Sequence, residues 1–198
     1  MLSKAEKTTQ YILETVGPYF NKHGYTGTSM SDITRATGLS KGAIYGNFEN
    51  KEHLALEAFN YNVRKAMGVL YSHMDMDAPG LSKLFAITNF YRSYYQANKL
   101  QGGCPMLNMG IDSMNHQSQL YKRVVEVMGK LVKGLASLID QAKEERTIRK
   151  DIDSMVYANR IYAQIQGSIF MSYIMNDQKQ MTEMMNHIDQ MIKTELML

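Results

Sequence analysis

Residues 28–48 read TSMSDITRATGLSKGAIYGNF, a run whose composition is typical of two short helices joined by a tight turn. Thr28 or Ser29 can cap the first helix, because a hydroxyl oxygen accepts a hydrogen bond from a free N–H of the first turn. Gly38 can adopt the positive φ angle that the turn needs, and Ser40 can cap the second helix. The spacing therefore predicts a helix-turn-helix.

The apolar residues of this run predict which of its sides is buried. Those expected to pack on a preceding helix over residues 4–23 are Met30, Ile33, Leu39, Ile44 and Phe48. The residues left facing outward are small or polar, namely Ser40, Lys41, Gly42, Ala43, Tyr45, Gly46 and Asn47. In a helix-turn-helix the second helix enters the major groove of DNA by its N-terminal residues. We therefore predict that this outward face meets DNA.

The next helix begins at Asn50-Lys51-Glu52, with a capping residue and a lysine beside its N-terminus. The helix amides and the Lys51 ammonium can address one phosphate together, which predicts a second backbone contact. A solvated surface charge is the alternative interpretation of Lys51. For Tyr45 the alternative is a half-buried tyrosine that packs on the first helix.

Composition excludes several classes of protein. The chain has 198 residues, one cysteine and a net charge of +3. One thiol closes no intrachain disulfide, so disulfide scaffolds and Cys-rich zinc modules are excluded. Neither a secretion signal nor a run of about 20 apolar residues is visible, so we expect a cytoplasmic protein without a membrane span. Residues 1–66 hold eight Lys/Arg against six Asp/Glu, so bulk charge favours a nucleic-acid partner only weakly.

The rest of the chain predicts an all-α fold of about nine helices, because apolar residues recur at steps of three and four and strand-type alternation is absent. Long helices are expected from Lys51 to near Asp77, over Leu120 to Ala142, from near Asp151, and over Gln178 to Met197. Shorter ones are expected over Leu81 to Asn98 and from Pro105 to about Asn115, and Pro18 should kink the first helix without breaking it. We expect a DNA-binding domain over 1–50 and a ligand-binding and dimerisation domain over 51–198.

The head of the chain resembles the DNA-binding domain of TetR-type transcriptional regulators over about residues 5–60. The residues that carry the likeness are Gly24-Tyr25, Thr28-Ser29, Asp32-Ile33, Gly38 to Gly42, Ile44-Tyr45, Phe48 and Asn50 to Glu52. The resemblance implies a homodimeric repressor that binds a palindromic double-stranded operator and leaves it when a small molecule enters the C-terminal body. It places Thr28, Ser29, Ser40, Lys41, Gly42, Ala43, Tyr45, Asn47 and Lys51 at the DNA. Asn47 stands where histidine is common and Gly46 where a larger side chain is usual, so the base preference does not carry over.

Residues of the C-terminal body could line a pocket for a small, mostly apolar ligand. The candidates are Tyr91, Tyr95, Cys104, Met106, Asn108, Met109, Tyr162, Gln166 and Phe170, with Tyr94 and Met171 beside them. Fifteen of the 17 methionines lie from residue 67 onward, and flexible thioethers suit a cavity that adapts to varied ligands. Ordinary core packing is the alternative interpretation of each of these residues, and it is the favoured one because buried aromatics and methionines are common.

Cys104 lies in the run Gly102-Gly103-Cys104-Pro105, which resembles a segment in a TetR subgroup that includes regulators of electrophile and quinone detoxification. A thiol at the start of a helix can have a lowered pKa, which would make Cys104 a candidate sensor. The alternative is a buried, inert cysteine, and the absence of a lysine or arginine next to it in sequence favours that interpretation.

Apolar stripes on the last two long helices predict a twofold four-helix bundle between two copies of the chain. Its members are Met155, Ile161, Ile165, Ile169, Met184, Ile188, Met191 and Met197. A dimer would present two heads about 34–36 Å apart, or a multiple of that, to one face of the duplex.

Metal-binding and nucleotide-binding patterns are missing from the sequence. There is no phosphate-binding glycine motif or H-E-x-x-H, and the five histidines have no metal-ligand spacing. We therefore expect no enzyme, no cofactor and no metal. The remaining alternative is a helical small-molecule-binding or electrophile-sensing protein that does not bind DNA.

Overall fold

The computed structural model describes residues 3–99, 102–114 and 118–198. These residues form α1 (Lys4–His23), α2 (Met30–Thr37), α3 (Lys41–Tyr45), α4 (Lys51–Ser72), α5 (Gly80–Asn98), α6 (Pro105–Ser113), α7 (Gln119–Glu144), α8 (Ser154–Met175), α9 (Lys179–Met191) and a π-helical turn (Ile192–Leu196). The described ranges contain no strand, and a single antiparallel bridge pairs Ile148 with Met197. The all-α prediction is confirmed. Within the same ranges no helix is both long and apolar enough to cross a membrane.

Most helix boundaries follow local signals in the sequence. Helix α1 spans the predicted residues and continues through Pro18 without a break. Helix α4 ends at Ser72, before the expected Asp77, because the amides of His73 and Met74 donate to carbonyls only three residues back. Helix α8 begins at Ser154 because the Asp153 side chain accepts hydrogen bonds from the first free amides. Asn115, where the sixth helix was expected to end, lies outside the described residues.

The chain divides into two compact units. The head unit comprises Met1–Ala66 and Gln101–Glu126, and the body unit comprises Met67–Leu100 and Val127–Leu198. This division differs from the boundary expected at residue 50, because the first part of α4, all of α6 and the start of α7 belong to the head unit. Continuous helices, α4 and α7, therefore run from one unit into the other.

The head unit has a core of fully buried apolar side chains. They are Ile12, Val16 and Phe20 of α1, Ile33 of α2, Ile44 of α3, and Leu54 and Phe59 of α4. Phe48 is buried with them as predicted, whereas Met30 and Leu39 are partly exposed. Helices α1 and α4 approach closely at Gly17, whose carbonyl accepts a hydrogen bond from the Asn62 amide at 2.8 Å. A Cβ on Gly17 would lie 2.7 Å from Asn62 Oδ1, so a larger residue would force the Asn62 side chain to move.

The body unit buries the stripe that the sequence analysis assigned to a dimer. Ile161, Ile165 and Ile169 of α8 and Ile188 and Met191 of α9 are buried within one chain, so that assignment is wrong for these five residues. Met155 is exposed, and Met184 and Met197 are partly exposed.

Helix α8 has a second apolar stripe on its opposite side. Its exposed members are Val156, Phe170, Met171, Ile174 and Met175. The isoleucine stripe is buried inside the unit, where α8 packs against α9 and α5.

Candidate nucleic-acid interface and cavity

The helix-turn-helix is held by caps at each of its ends. Ser29, not Thr28, caps α2: its Oγ accepts the Asp32 N–H at 3.1 Å, and Asp32 Oδ2 accepts the Ser29 N–H at 3.0 Å. Hydrogen bonds from the side chain and backbone of Ser29 lower the pKa of the Asp32 carboxyl. Helix α2 ends at Gly38 with φ of +68°, and Ser40 Oγ accepts the Ala43 N–H at the start of α3.

Helix α3 presents the outward face that the sequence predicts. Its exposed residues, with the preceding cap, are Ser40, Lys41, Gly42, Ala43 and Tyr45, while Ile44 is fully buried against the core. The Lys41 Nζ lies 5.7 Å from the centroid of the Tyr45 ring, which is 38% exposed. Small side chains, a cation and an aromatic hydroxyl thus share one exposed surface.

Two residues expected at the DNA are used inside the protein instead. Thr28 is fully buried and its hydroxyl donates to the Gly24 carbonyl at 2.6 Å, so its assignment to the DNA-facing surface is wrong. Asn47 is half-buried: its amide nitrogen donates to the Ala43 carbonyl, and its oxygen accepts from the Thr9 hydroxyl, both at 2.9 Å. Since both ends of its amide are engaged, Asn47 braces α3 against α1.

Lys51 lies at the start of α4, which Asn50 caps by accepting the His53 N–H at 2.8 Å. Its ammonium lies 4.3 Å from the centroid of the Tyr25 ring and is half-buried, so it is not a freely solvated surface charge. Burial lowers the pKa of Lys51, and the Asp112 carboxylate partly opposes that shift.

Asp112 joins α6 to the turn that precedes α2. Its Oδ2 accepts the N–H of Tyr25 at 2.6 Å and of Thr26 at 3.0 Å. The role of Asp112 could not be predicted from the sequence, because nothing local to α6 indicates a hydrogen-bond partner 87 residues away.

A cavity of about 250 Å³ lies within the body unit. Its lining is mostly Met, Leu, Ile and Tyr, and comprises Met67, Leu70, Tyr71, Met74, Met76, Lys83, Ile87, Tyr91, Lys130, Leu131, Gly134, Leu135, Leu138, Tyr162 and Ile165. Two of the predicted ligand-binding residues, Tyr91 and Tyr162, are therefore on its wall. Among the lining residues that the sequence did not identify, Met67, Met74 and Met76 had a signal, because they cluster around the end of α4.

Four other predicted ligand-binding residues belong to α6 in the head unit and do not line this cavity. Met106 and Met109 are buried there, and Asn108 Nδ2 donates to the Asn21 carbonyl of α1 at 2.9 Å. Cys104 is buried at the start of α6 and makes no capping hydrogen bond with its side chain. Core packing, the alternative interpretation of Met106 and Met109, agrees with their burial in the head unit, where α6 packs on α1.

The three remaining candidates lie on α5 and α8 away from the cavity. The Tyr95 hydroxyl donates to Asn176 Oδ1 at 2.6 Å and its ring is buried. Gln166 is partly exposed, and Phe170 is 45% exposed on the second apolar stripe of α8. Tyr95, Gln166 and Phe170 do not line the cavity described above, and their role as ligand-binding residues stays a prediction.

Comparisons with known proteins cover both parts of the chain. Residues 19–58 match the family model "Bacterial regulatory proteins, tetR family", and residues 80–188 match "Tetracyclin repressor-like, C-terminal domain". Similar solved structures include a TetR-family transcriptional regulator from Cytophaga hutchinsonii, 32% identical over 98% of this chain and 96% of that chain, with a TM-score of 0.89. Another, a TetR transcriptional regulator from Chloroflexus aurantiacus, is 30% identical over the full length of both chains, with a TM-score of 0.93. The transcriptional repressor DhaR of Mycobacterium sp. (strain GP1) is 24% identical over 81% of this chain and 79% of its own length.

Proposed function

This chain belongs to the TetR family of ligand-responsive helix-turn-helix transcriptional repressors, and we propose that it binds a palindromic operator as a homodimer and is released by a small molecule. Residues 1–50 would form the DNA-binding domain, and residues 51–198 would bind the effector and dimerise. Members of this family regulate transcription by binding DNA, and we assign no catalytic step to this one. Because its proposed partner is chromosomal DNA, it would act in the cytoplasm.

The observation that carries the proposal is the exposed surface of α3. Ser40, Lys41, Gly42 and Ala43 form the N-terminal part of this helix and its cap, the part that a helix-turn-helix inserts into the major groove. Their small size supports a close approach of the backbone to base edges. Lys41 and Lys51 would bind phosphates, and Tyr45 would contact the DNA backbone through its exposed hydroxyl.

Lysine substitutions test the phosphate contacts. Each phosphate contact contributes about 0.9 to the slope of log affinity against log salt, so losing one contact per protomer should reduce the slope of a dimer by about 1.8. Lys41→Ala and Lys51→Ala should each show this change in fluorescence anisotropy with duplex DNA flanking the protein's own gene, and both should weaken specific and non-specific binding alike. Unchanged slopes in both variants would contradict the assignment. Wild-type protein without affinity for that DNA would remove the support for repression of its own gene.

Gly42→Ala separates contact with DNA from damage to the protein. A Cβ on Gly42 would meet only Ser40 Oγ, at 3.9 Å, so the protein itself has room for it. Alanine also favours the helix by about 1 kcal/mol over glycine. We expect Gly42→Ala to fold with unchanged or higher stability and to lose operator affinity by at least tenfold. Full affinity would mean that DNA does not approach the backbone at α3.

We propose that the cavity of the body unit binds the effector. Its apolar wall with few polar groups is typical of small-molecule sites, and Met67 and Leu70 of that wall belong to the last turns of α4. The same helix begins at Lys51, so a ligand that displaces its end can alter the DNA-binding end through one continuous helix. A coupling of about 1–3 kcal/mol is usual for such transitions.

Dimerisation would use the last two long helices, with the second apolar stripe of α8 as its centre. Phe170, Ile174 and Met175 leave a contiguous apolar surface exposed on a single chain, and such a surface is typical of a protein interface. Ala163 and Gly167 are also exposed on α8. Their small side chains would allow the α8 helices of two copies to approach closely.

A further inference from the structure

One side chain on the cavity wall of the body unit is a buried cation. Lys83 of α5 lines it and is 8% exposed, although lysine is rarely so buried unless it is paired. Across residues 3–99, 102–114 and 118–198, no carboxylate lies within 4.0 Å of its Nζ. Its one hydrogen-bond partner there is the neutral Gln141 Oε1, at 3.3 Å.

Gln141 leaves most of the donor capacity of this ammonium unused. An ammonium has three N–H donors, and the bond to Gln141 uses one of them. The Gln141 amide nitrogen in turn donates to Glu145 Oε1 at 2.7 Å, and Glu145 Oε2 accepts the Gly80 N–H at 2.9 Å. Glu145 is thus held at the start of α5 and bonds to Gln141, the partner of Lys83, so it does not pair with the lysine directly.

We propose that the effector is a small amphipathic organic acid whose carboxylate pairs with Lys83 while its apolar body fills the Met- and Leu-lined cavity. This inference rests on the proposed function, since it specifies the chemistry of the same effector site. A buried charge is costly when unpaired, so the cavity favours a ligand that supplies the missing anion. A second lysine, Lys130, is exposed at the cavity wall and adds positive potential. The volume of about 250 Å³ lies below the roughly 300–1,000 Å³ of drug-sized sites, which limits the ligand to a small acid.

Octanoate and its neutral counterpart octan-1-ol are matched probes for this site. Isothermal titration calorimetry on the free protein should show octanoate binding to the wild type. Lys83→Met removes the charge and keeps an unbranched side chain that is one atom shorter. It should weaken octanoate at least tenfold and change octan-1-ol less than threefold. Lys83→Arg, which retains the positive charge, should preserve octanoate binding.

A substitution that fills the cavity tests whether both probes bind inside it. Gly134 lines the cavity, and a Cβ there would meet no atom within 4 Å, so Gly134→Leu should fold and exclude both probes while leaving Lys83 intact. Circular dichroism and thermal melting check that each variant folds. Should Lys83→Met fail to do so, Lys83→Gln is also neutral and gives the same comparison.

Three results would overturn the proposal: no octanoate binding to the wild type, equal weakening of both probes by Lys83→Met, or full octanoate binding in Gly134→Leu. The measurement contains no DNA. A protein that binds octanoate through Lys83 but binds no operator would therefore contradict the proposed function and leave the ligand assignment standing.

Discussion

Replacing Asp112 should release the turn before α2 from α6. In Asp112→Ala the amides of Tyr25 and Thr26 lose a charged acceptor at 2.6 and 3.0 Å. A hydrogen bond to a charged group contributes about 1.5–3 kcal/mol. Tyr25 is partly buried, so we expect the loss of about 2 kcal/mol of local stability there. Thr26 is exposed, and water can replace its partner at a cost of about 0.7 kcal/mol.

Hydrogen exchange of individual amides, followed by NMR, measures these two losses directly. At 1.4 kcal/mol for each factor of ten, protection should fall about 30-fold at Tyr25 and about threefold at Thr26. Asp112→Asn keeps an acceptor oxygen without its charge, so protection at Tyr25 should fall about fivefold. Glu144→Ala, which removes an exposed carboxylate at the end of α7, is the matched control and should change neither amide. Unchanged exchange at both amides in Asp112→Ala would refute the claim that α6 holds this turn.

Three further changes test the turn, the cap and the dimer. Gly38→Ala should destabilise the protein in urea unfolding by about 1–2 kcal/mol because φ is +68°, while Gly38→Asn should cost less; equal stabilities would contradict the strain argument. Because the pKa of Asp32 is lowered in the folded protein, its carboxylate stabilises the protein above the ordinary aspartate pKa of about 3.9, and that stabilisation is lost as the pH falls through the lowered pKa. Amide protection in α2 should therefore decline over that pH range, and Ser29→Ala should remove the pH dependence. Ile174→Glu should convert a dimer to monomers in analytical ultracentrifugation, whereas Ile111→Glu, at another exposed position, on α6, should not; a persistent dimer in Ile174→Glu would exclude α8 as the interface.

The head of the molecule could be predicted closely because its signals are local. A capping hydroxyl at Ser29 or Ser40 acts on amides two or three residues away, and Gly38 fixes the turn by its own φ angle. These effects need no knowledge of distant partners. Sequence reasoning missed the partners of two side chains in the head: Thr28 turned inward to the Gly24 carbonyl, and Asn47, which stays partly exposed, reached Thr9 on α1.

The body was predicted less well because helical spacing identifies an apolar face without naming the helix that covers it. Met106 and Met109 lie on a buried face of α6, as their spacing indicates, but that face packs in the head unit. On α8 both sides are apolar, so the sequence could not decide whether Ile165 or Phe170 lies in the core. In the structure Ile165 is buried and Phe170 is exposed, so the proposed dimer face is now the side of α8 that carries Phe170.

Lys83 can couple ligand binding in the cavity to release from DNA. A ligand shifts a conformational equilibrium only by its difference in affinity for the two states, and an apolar body that fits both states equally contributes nothing to that difference. A carboxylate that pairs with Lys83 in one arrangement of α5 and α7 and not in the other can supply it, because the unpaired buried ammonium is costly. One such pair needs to supply only about 1–3 kcal/mol, which is within the range of a hydrogen bond to a charged group. The charge of the ligand would therefore determine release from DNA as well as part of its affinity, and its apolar body would add affinity without favouring either state.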